Sequence, residues 1–189
     1  MTHSDSFSED ARPMDAPLTG ERGGDASHLE TLPLIDIDEV IGICELVHEY
    51  GDCVDVHDLA REFGHARLMF LTIEGARMLG LVKLHEGELS LSALGRTWIQ
   101  GDAQERQRVL HHQMATLKPI RWLCTQMRRA GSGAASADEL LGKMSLCVPV
   151  EEAPSKFWTL VNWGSYARLF DYEEDRKMLV LRSPGPMSS

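Results

Sequence analysis

Leu81-Val82-Lys83-Leu84-His85-Glu86-Gly87-Glu88-Leu89-Ser90-Leu91 is the stretch that decides the fold. Val82 and Leu84 on one side of Glu86-Gly87, and Leu89 and Leu91 on the other, alternate with polar residues. Side chains of a strand point to opposite faces in turn, so period two around a Gly-containing turn predicts a β-hairpin. Upstream the period is helical. Val40, Ile43, Leu46 and Val47 share one face of a helix that Asp36 or Asp38 can cap and that runs to about Tyr50, where Gly51 ends it. Asp55 caps a second, short helix from Val56 to Phe63, closed by Gly64. A third runs from about Ala66 to Leu79, carries Leu68, Phe70, Leu71, Ile73 and Met78, and stops at Gly80. Three helices followed by a hairpin make the plan of a winged helix over residues 32–100, with the hairpin as the wing.

Downstream the chain reads as helical again. Ser92 opens a fourth helix, Ala93 to Ile99. A long helical stretch from about Ala103 to Ala130 is broken at Pro119, because proline cannot continue a helix interior. Ala130-Gly131-Ser132-Gly133 is a loop, Ser136 caps a short helix through Met144, and a further helix carries Phe157, Trp158, Leu160, Val161, Tyr166, Leu169 and Phe170. Phe170-Asp171-Tyr172 and Met178-Leu179-Val180-Leu181, around Glu173-Glu174-Asp175, predict a short terminal hairpin. The expected fold is therefore mainly α: a winged helix, then a helical C-terminal part over residues 101–182 ending in that hairpin. Residues 1–31 are rich in Ser, Asp, Glu, Gly and Pro and read as a disordered acidic tail. Residues 183–189 read as a frayed end. No internal repeat is evident in the sequence.

The chain has 189 residues, with 29 acidic against 19 basic side chains and a formal net charge of -10. That balance argues against a general polyanion binder, which needs clustered Lys and Arg. The four cysteines, Cys44, Cys53, Cys124 and Cys147, are widely and irregularly spaced and read as reduced cytosolic thiols. No run approaches the ~18 apolar residues that span a bilayer, and the N-terminus lacks a basic-then-apolar leader. A cytoplasmic protein without direct membrane insertion is expected. The sequence also lacks GxSxG, HExxH and a glycine-rich phosphate cradle, so the chain is not expected to be an enzyme.

Two sets of residues carry chemistry. Cys44 and His48 lie one helical turn apart, and Cys53 and His57 straddle the start of the second helix. Two thiolates and two imidazoles can hold zinc or another transition metal. Core cysteines with surface histidines are the competing structural reading, in which no cofactor is bound. The second set is basic: Arg106, Arg108, Lys118, Arg121, Arg128 and Arg129, with Glu105 the only acid in that stretch. It suits an acidic partner, a nucleotide or a nucleic acid, or else is a solvated helix face. His111 and His112 are neighbours on a helix and point about 100° apart, which disfavours joint chelation. Trp122, Trp158, Trp163 and Tyr166 have helical spacing and read as core. On the third helix Arg67 and Arg77, with Lys83 on the wing, offer a thin set of DNA contacts. Its many apolar residues suit protein packing better than a groove.

Four segments carry a resemblance to one family. They are Leu34-Ile35-Asp36-Ile37-Asp38-Glu39-Val40-Ile41-Gly42, Leu91-Ser92-Ala93-Leu94-Gly95-Arg96, Gln104-Glu105-Arg106-Gln107-Arg108, and Leu160-Val161-Asn162-Trp163-Gly164-Ser165-Tyr166-Ala167-Arg168-Leu169-Phe170-Asp171-Tyr172. Together they resemble the C-terminal AAA-associated domain, over roughly residues 32–182. The Asn-Trp-Gly-x-Tyr-Ala run followed by Phe-x-Tyr is the most specific of them. The resemblance implies a non-catalytic regulatory or interaction domain of nitrate/sulfonate/taurine-type ABC importer ATPases. Its partners would be the ATP-binding or permease subunit, which would place it on the cytoplasmic side, peripheral to the inner membrane. Self-association is compatible with it. The sequence departs from the fused arrangement in having no GxxxxGK(S/T) phosphate loop. The alternatives are a winged-helix DNA-binding transcriptional regulator and a metal-responsive module.

Overall fold

The computed structural model describes Leu29 and residues 31–182. The expected acidic tail, apart from Leu29 and Thr31, and the expected frayed end both lie outside the described residues. The first unit is α1 (Ile37–Glu49), β1 (Cys53–Asp55), α2 (Val56–Phe63), α3 (Ala66–Met78), β2 (Val82–His85) and β3 (Glu88–Leu91). Then come α4 (Ala93–Gln100) and α5 (Ala103–Thr116). The described residues finish with α6 (Lys118–Arg129), β4 (Ala134–Ser136), α7 (Ala137–Met144), α8 (Ala153–Tyr166), β5 (Phe170–Glu173) and, after a single 3-10 turn, β6 (Met178–Leu181). Among the described residues the fold is mainly helical, as the periodicity requires, with two small antiparallel sheets.

The hairpin forms where the alternation places it. Glu86 (φ +49) and Gly87 (φ +87) are both left-handed, the geometry that lets a two-residue turn follow the strands' twist. A third strand that no periodicity announces is added to it. β1 pairs antiparallel with β3, Val54 opposite Leu89, giving the order β1-β3-β2. Three residues are too few to display a period, so only their partner makes them a strand. The terminal hairpin likewise gains β4, which pairs with β6 in the order β4-β6-β5. The long helical stretch divides at Leu117, held extended at φ -65 and ψ 127, and Pro119 sits in the first turn of α6, where its missing N–H costs nothing.

The C-terminal part from α6 onward repeats the plan of the first unit, helix–strand–helix–helix–hairpin. The repeat extends to individual hydrogen bonds. Val56 N–H donates to Gly87 O at 2.8 Å, and Ala137 N–H to Lys177 O at 2.9 Å. Leu91 N–H reaches Asp52 O at 3.0 Å, and Leu181 N–H reaches Gly133 O at 2.8 Å. Leu81 N–H and Leu169 N–H close the ends of α3 and α8 on Ala76 O and Gly164 O, both at 2.9 Å. Buried residues match in spacing: Met69, Thr72, Ile73, Gly75 and Ala76 in α3 correspond to Phe157, Leu160, Val161, Trp163 and Gly164 in α8. Val40, Ile43, Cys44 and Val47 in α1 correspond to Ile120, Leu123, Cys124 and Met127 in α6. The periodicity of burial is kept while most of the residues differ, so the repeat does not stand out in the sequence.

The two units share one core. Trp163 on α8 is fully buried and its indole N–H donates to Ile35 O, at the approach to α1, over 2.9 Å. Next to it Ile37 N–H, in the first turn of α1, donates to Asn162 Oδ1 at 2.9 Å. Gly75 on α3 completes the junction, since a Cβ there would crowd Val40 and Ile35 and touch Trp163. Lys156, almost fully buried, donates to Leu29 O at 2.8 Å and pairs with Glu152 at 3.4 Å, which ties the start of the described chain to α8. Gly164 is bare because the Phe170 ring of β5 lies where its Cβ would be.

Gly164→Ala should therefore overpack this contact and cost about 1–3 kcal/mol of unfolding free energy, read by urea denaturation. Gly164→Ala with Phe170→Leu should recover part of the loss. Trp163→Phe should cost a further quantity of the same order, about 1–3 kcal/mol, by orphaning the buried Ile35 carbonyl. An unchanged urea midpoint in either single variant would contradict the packing described.

Candidate functional site

The residues that carry the family resemblance build the scaffold. Ser92 caps α4 by accepting the Gly95 N–H at 2.9 Å and donates its own hydroxyl to Gly80 O at 2.6 Å. Gly95 has no Cβ because the Leu81 carbonyl occupies that space, and Arg96 donates to Leu91 O at 2.8 Å. Glu105 and Asp102 cap α5 reciprocally, at 2.8 and 3.2 Å. Gln107 donates to Tyr166 O at 2.6 Å, and the His111 ring nitrogen Nδ1 donates to Ala167 O at 2.8 Å, so α5 closes the C-terminus of α8. Asn162 and Trp163 form the junction between the units, and Gly164 makes room for Phe170 within the second.

Among the described residues no group of three or more His, Cys, Asp or Glu is placed to hold a metal ion. Cys44 is fully buried on α1, whereas His48, Cys53 and His57 are exposed. The His48 ring faces Asp52 instead, with Nδ1 2.7 Å from Oδ1. Burial pushes the Cys44 thiol up to about 12, with Glu45 adding to the shift, so it is a neutral core group at physiological pH. The four residues are thus not brought together. β1 is the reason: pairing with β3 turns Cys53 outward while Val54 goes into the core.

The basic set is also divided. Arg106 is committed to the scaffold: it stacks over Trp98 at 5.1 Å, donates to Gly101 O and Ile99 O, and pairs with Glu45 at 3.2 Å. Arg77 is tied to Glu74 on its own helix. Arg67 on α3, Lys83 on β2, Arg108 on α5 and Lys118, Arg121, Arg128 and Arg129 on α6 are exposed, and none makes an ion pair among the described residues.

Two surface features stand apart from this scaffold. A cleft of about 410 Å³ lies where the approach to α1, α3 and α8 meet, lined by Leu34, Asp36, Glu39, Leu68 and Trp158 among others. Large apolar side chains are exposed around the second unit's α7–α8 pair and on α3: Leu146 (87%), Val150 (68%), Phe70 (49%) and Trp158 (45%). Trp158 is steadied edge-on by Phe157 and Tyr172, at 5.3 and 5.2 Å between ring centroids. Helical spacing places Trp158 and Tyr166 in the core, but both are exposed, and Phe157 and Trp163 on the inward face of α8 take that role. The second feature is a groove of about 220 Å³ against α6. Residues from three separate segments line it, so nothing in the sequence beyond the acid-free run on α6 marks it.

The scaffold is mainly helical with small sheets and leaves several large apolar side chains exposed. The family model for the C-terminal AAA-associated domain matches residues 58–173, more than half of the chain, and the chain belongs to that family. It is a family of domains associated with AAA/ABC ATPases and generally non-catalytic. The match includes three of the four resembling segments and begins beyond Leu34–Gly42. No curated protein and no solved structure gives a match to the chain. Among the described residues no helix is long and apolar enough to cross a membrane.

The Cys44 thiol generates a test. Its folded-state pKa lies above the unfolded value of 9.0, so its share of stability is complete below about pH 9 and is lost as pH rises toward 12. Stability measured at about pH 10.5 should fall below that at pH 8, and Cys44→Ala should show a shallower decline. In the native protein a thiol reagent should modify exposed Cys53 readily and reach Cys44 only on unfolding. Equal reaction of both would contradict the burial.

Proposed function

We propose that this protein is a non-catalytic regulatory module that docks on an ABC importer ATPase of the nitrate/sulfonate/taurine type and biases its activity from the cytoplasmic side. Membership of an ATPase-associated family is the observation that carries the reading. The sequence has no phosphate loop of its own, so the nucleotide chemistry would belong to the partner. The apolar rim supports docking: Phe70 and Trp158 are large, exposed aromatics on helices, the kind of side chain that anchors protein interfaces. α3 supports it as well. Its outward face offers Phe70 together with an Arg77 already neutralised by Glu74, which suits a protein surface better than a DNA groove.

The test is ATP hydrolysis by the cognate ATP-binding subunit with and without the full chain, alongside a binding isotherm. Binding with an altered hydrolysis rate is expected, and Phe70→Ala or Trp158→Ala should weaken binding by roughly tenfold or more, the loss of one aromatic anchor. No association at tens of micromolar, together with a salt-sensitive gel shift on DNA that requires Arg67 and Lys83, would replace this reading by the transcriptional one.

A further inference from the structure

α6 carries Lys118, Arg121, Arg128 and Arg129 and no carboxylate, in a chain whose net charge is -10. Arg121 and Arg128 both line the groove of about 220 Å³, and neither has an ion-pair partner among the described residues. They stand seven residues apart, hence two turns or about 10 Å along the axis and on one side of the helix. Two flexible guanidinium groups at that separation can converge on one head group held between them. Cys124 and Thr125 lie between the two in sequence and also line the groove. The Thr125 hydroxyl donates to Arg121 O at 2.7 Å, so the guanidinium groups are the groove's charged donors.

The rest of the lining is apolar. Ile120 is buried on α6, and Leu169, from the turn between α8 and β5, approaches from the other side. Burial raises the Cys124 thiol, against the opposing pull of Arg128, so it stays neutral near pH 7 and puts no negative charge in the groove. At about 220 Å³ the groove falls below the roughly 300–1,000 Å³ of drug-sized ligand pockets, which suits a short ligand better than a nucleotide. An unpaired pair of cations over an apolar floor selects an anionic head joined to a short hydrocarbon body.

We propose that this groove is a binding site for a small organic oxyanion, a carboxylate or phosphate head carrying a short apolar tail. The site goes beyond the docking role, and its occupancy does not depend on any ATPase being bound.

The test is calorimetric titration of the full chain with butyrate and with butyl phosphate, compared with n-butanol and inorganic phosphate. Saturable one-to-one binding of at least one of the two tailed anions is expected, and which one binds identifies the head. Arg121→Gln and Arg128→Gln should each weaken it roughly tenfold, the loss of a charge-assisted hydrogen bond, while Arg129→Gln on the same helix leaves it unchanged. All three side chains are exposed, and circular dichroism will verify that the variants fold. The proposal is overturned if neither tailed anion saturates at millimolar concentration, or if n-butanol or inorganic phosphate binds as well. It is overturned too if Arg129→Gln weakens binding as much as the other two, since the effect would then be the diffuse field of the helix.

Discussion

The hydrogen bond from the Trp163 indole to Ile35 O is the constraint on which the molecule depends. A buried indole N–H must find an acceptor, and a carbonyl in the irregular segment before α1 is the acceptor it finds. The bond fixes that segment against α8, and the adjacent Asn162 carboxamide then satisfies the first N–H of α1, which no turn of that helix can. One pair of neighbouring residues therefore sets the position of α1, to which the rest of the first unit is attached. Gly164 follows for the same reason. With Trp163 inward, the next residue faces Phe170, and only hydrogen leaves room for the ring.

Two units of one plan are joined in this way, and their turns show how differently one backbone path can be encoded. The left-handed residue that ends the third helix is Gly80 in one unit and Arg168 in the other, at φ +70 and +54. The residue before the added strand is Asp52 or Gly133, at φ +70 and +71. Asp and glycine tolerate that region, and Arg168 accepts its strain because the hydrogen bonds on either side of it hold the path. The duplication thus rests on burial spacing and backbone hydrogen bonds, neither of which requires identical side chains.

The same economy separates scaffold from surface. Arg106 and Lys156 are charged, yet both are used internally, each satisfied by backbone carbonyls and a carboxylate. The arginines of α6 have no such internal partners among the described residues, and the aromatic rings of Phe70 and Trp158 are left outside the core. Unpaired positive charge and exposed aromatic surface are therefore concentrated where the fold makes least demand on the side chain.

Local periodicity was enough to place the main helices and both hairpins among the described residues, because amphipathic spacing and Gly, Ser and Asp at the ends act within a few residues. It also marked the Asn-Trp-Gly run and the acid-free stretch that became α6. Tertiary structure alone decided the rest. β1 and β4 are strands only because β3 and β6 lie beside them, and that pairing turned Cys53 away from Cys44 and separated the candidate metal ligands. Whether a tryptophan is core or rim was settled by which face of α8 met α1, so Trp163 went in and Trp158 stayed out. That Arg106 is committed to the scaffold was settled in part by Glu45, 61 residues away. These are contacts between residues far apart in the chain, and a pattern read along the chain contains no term for them.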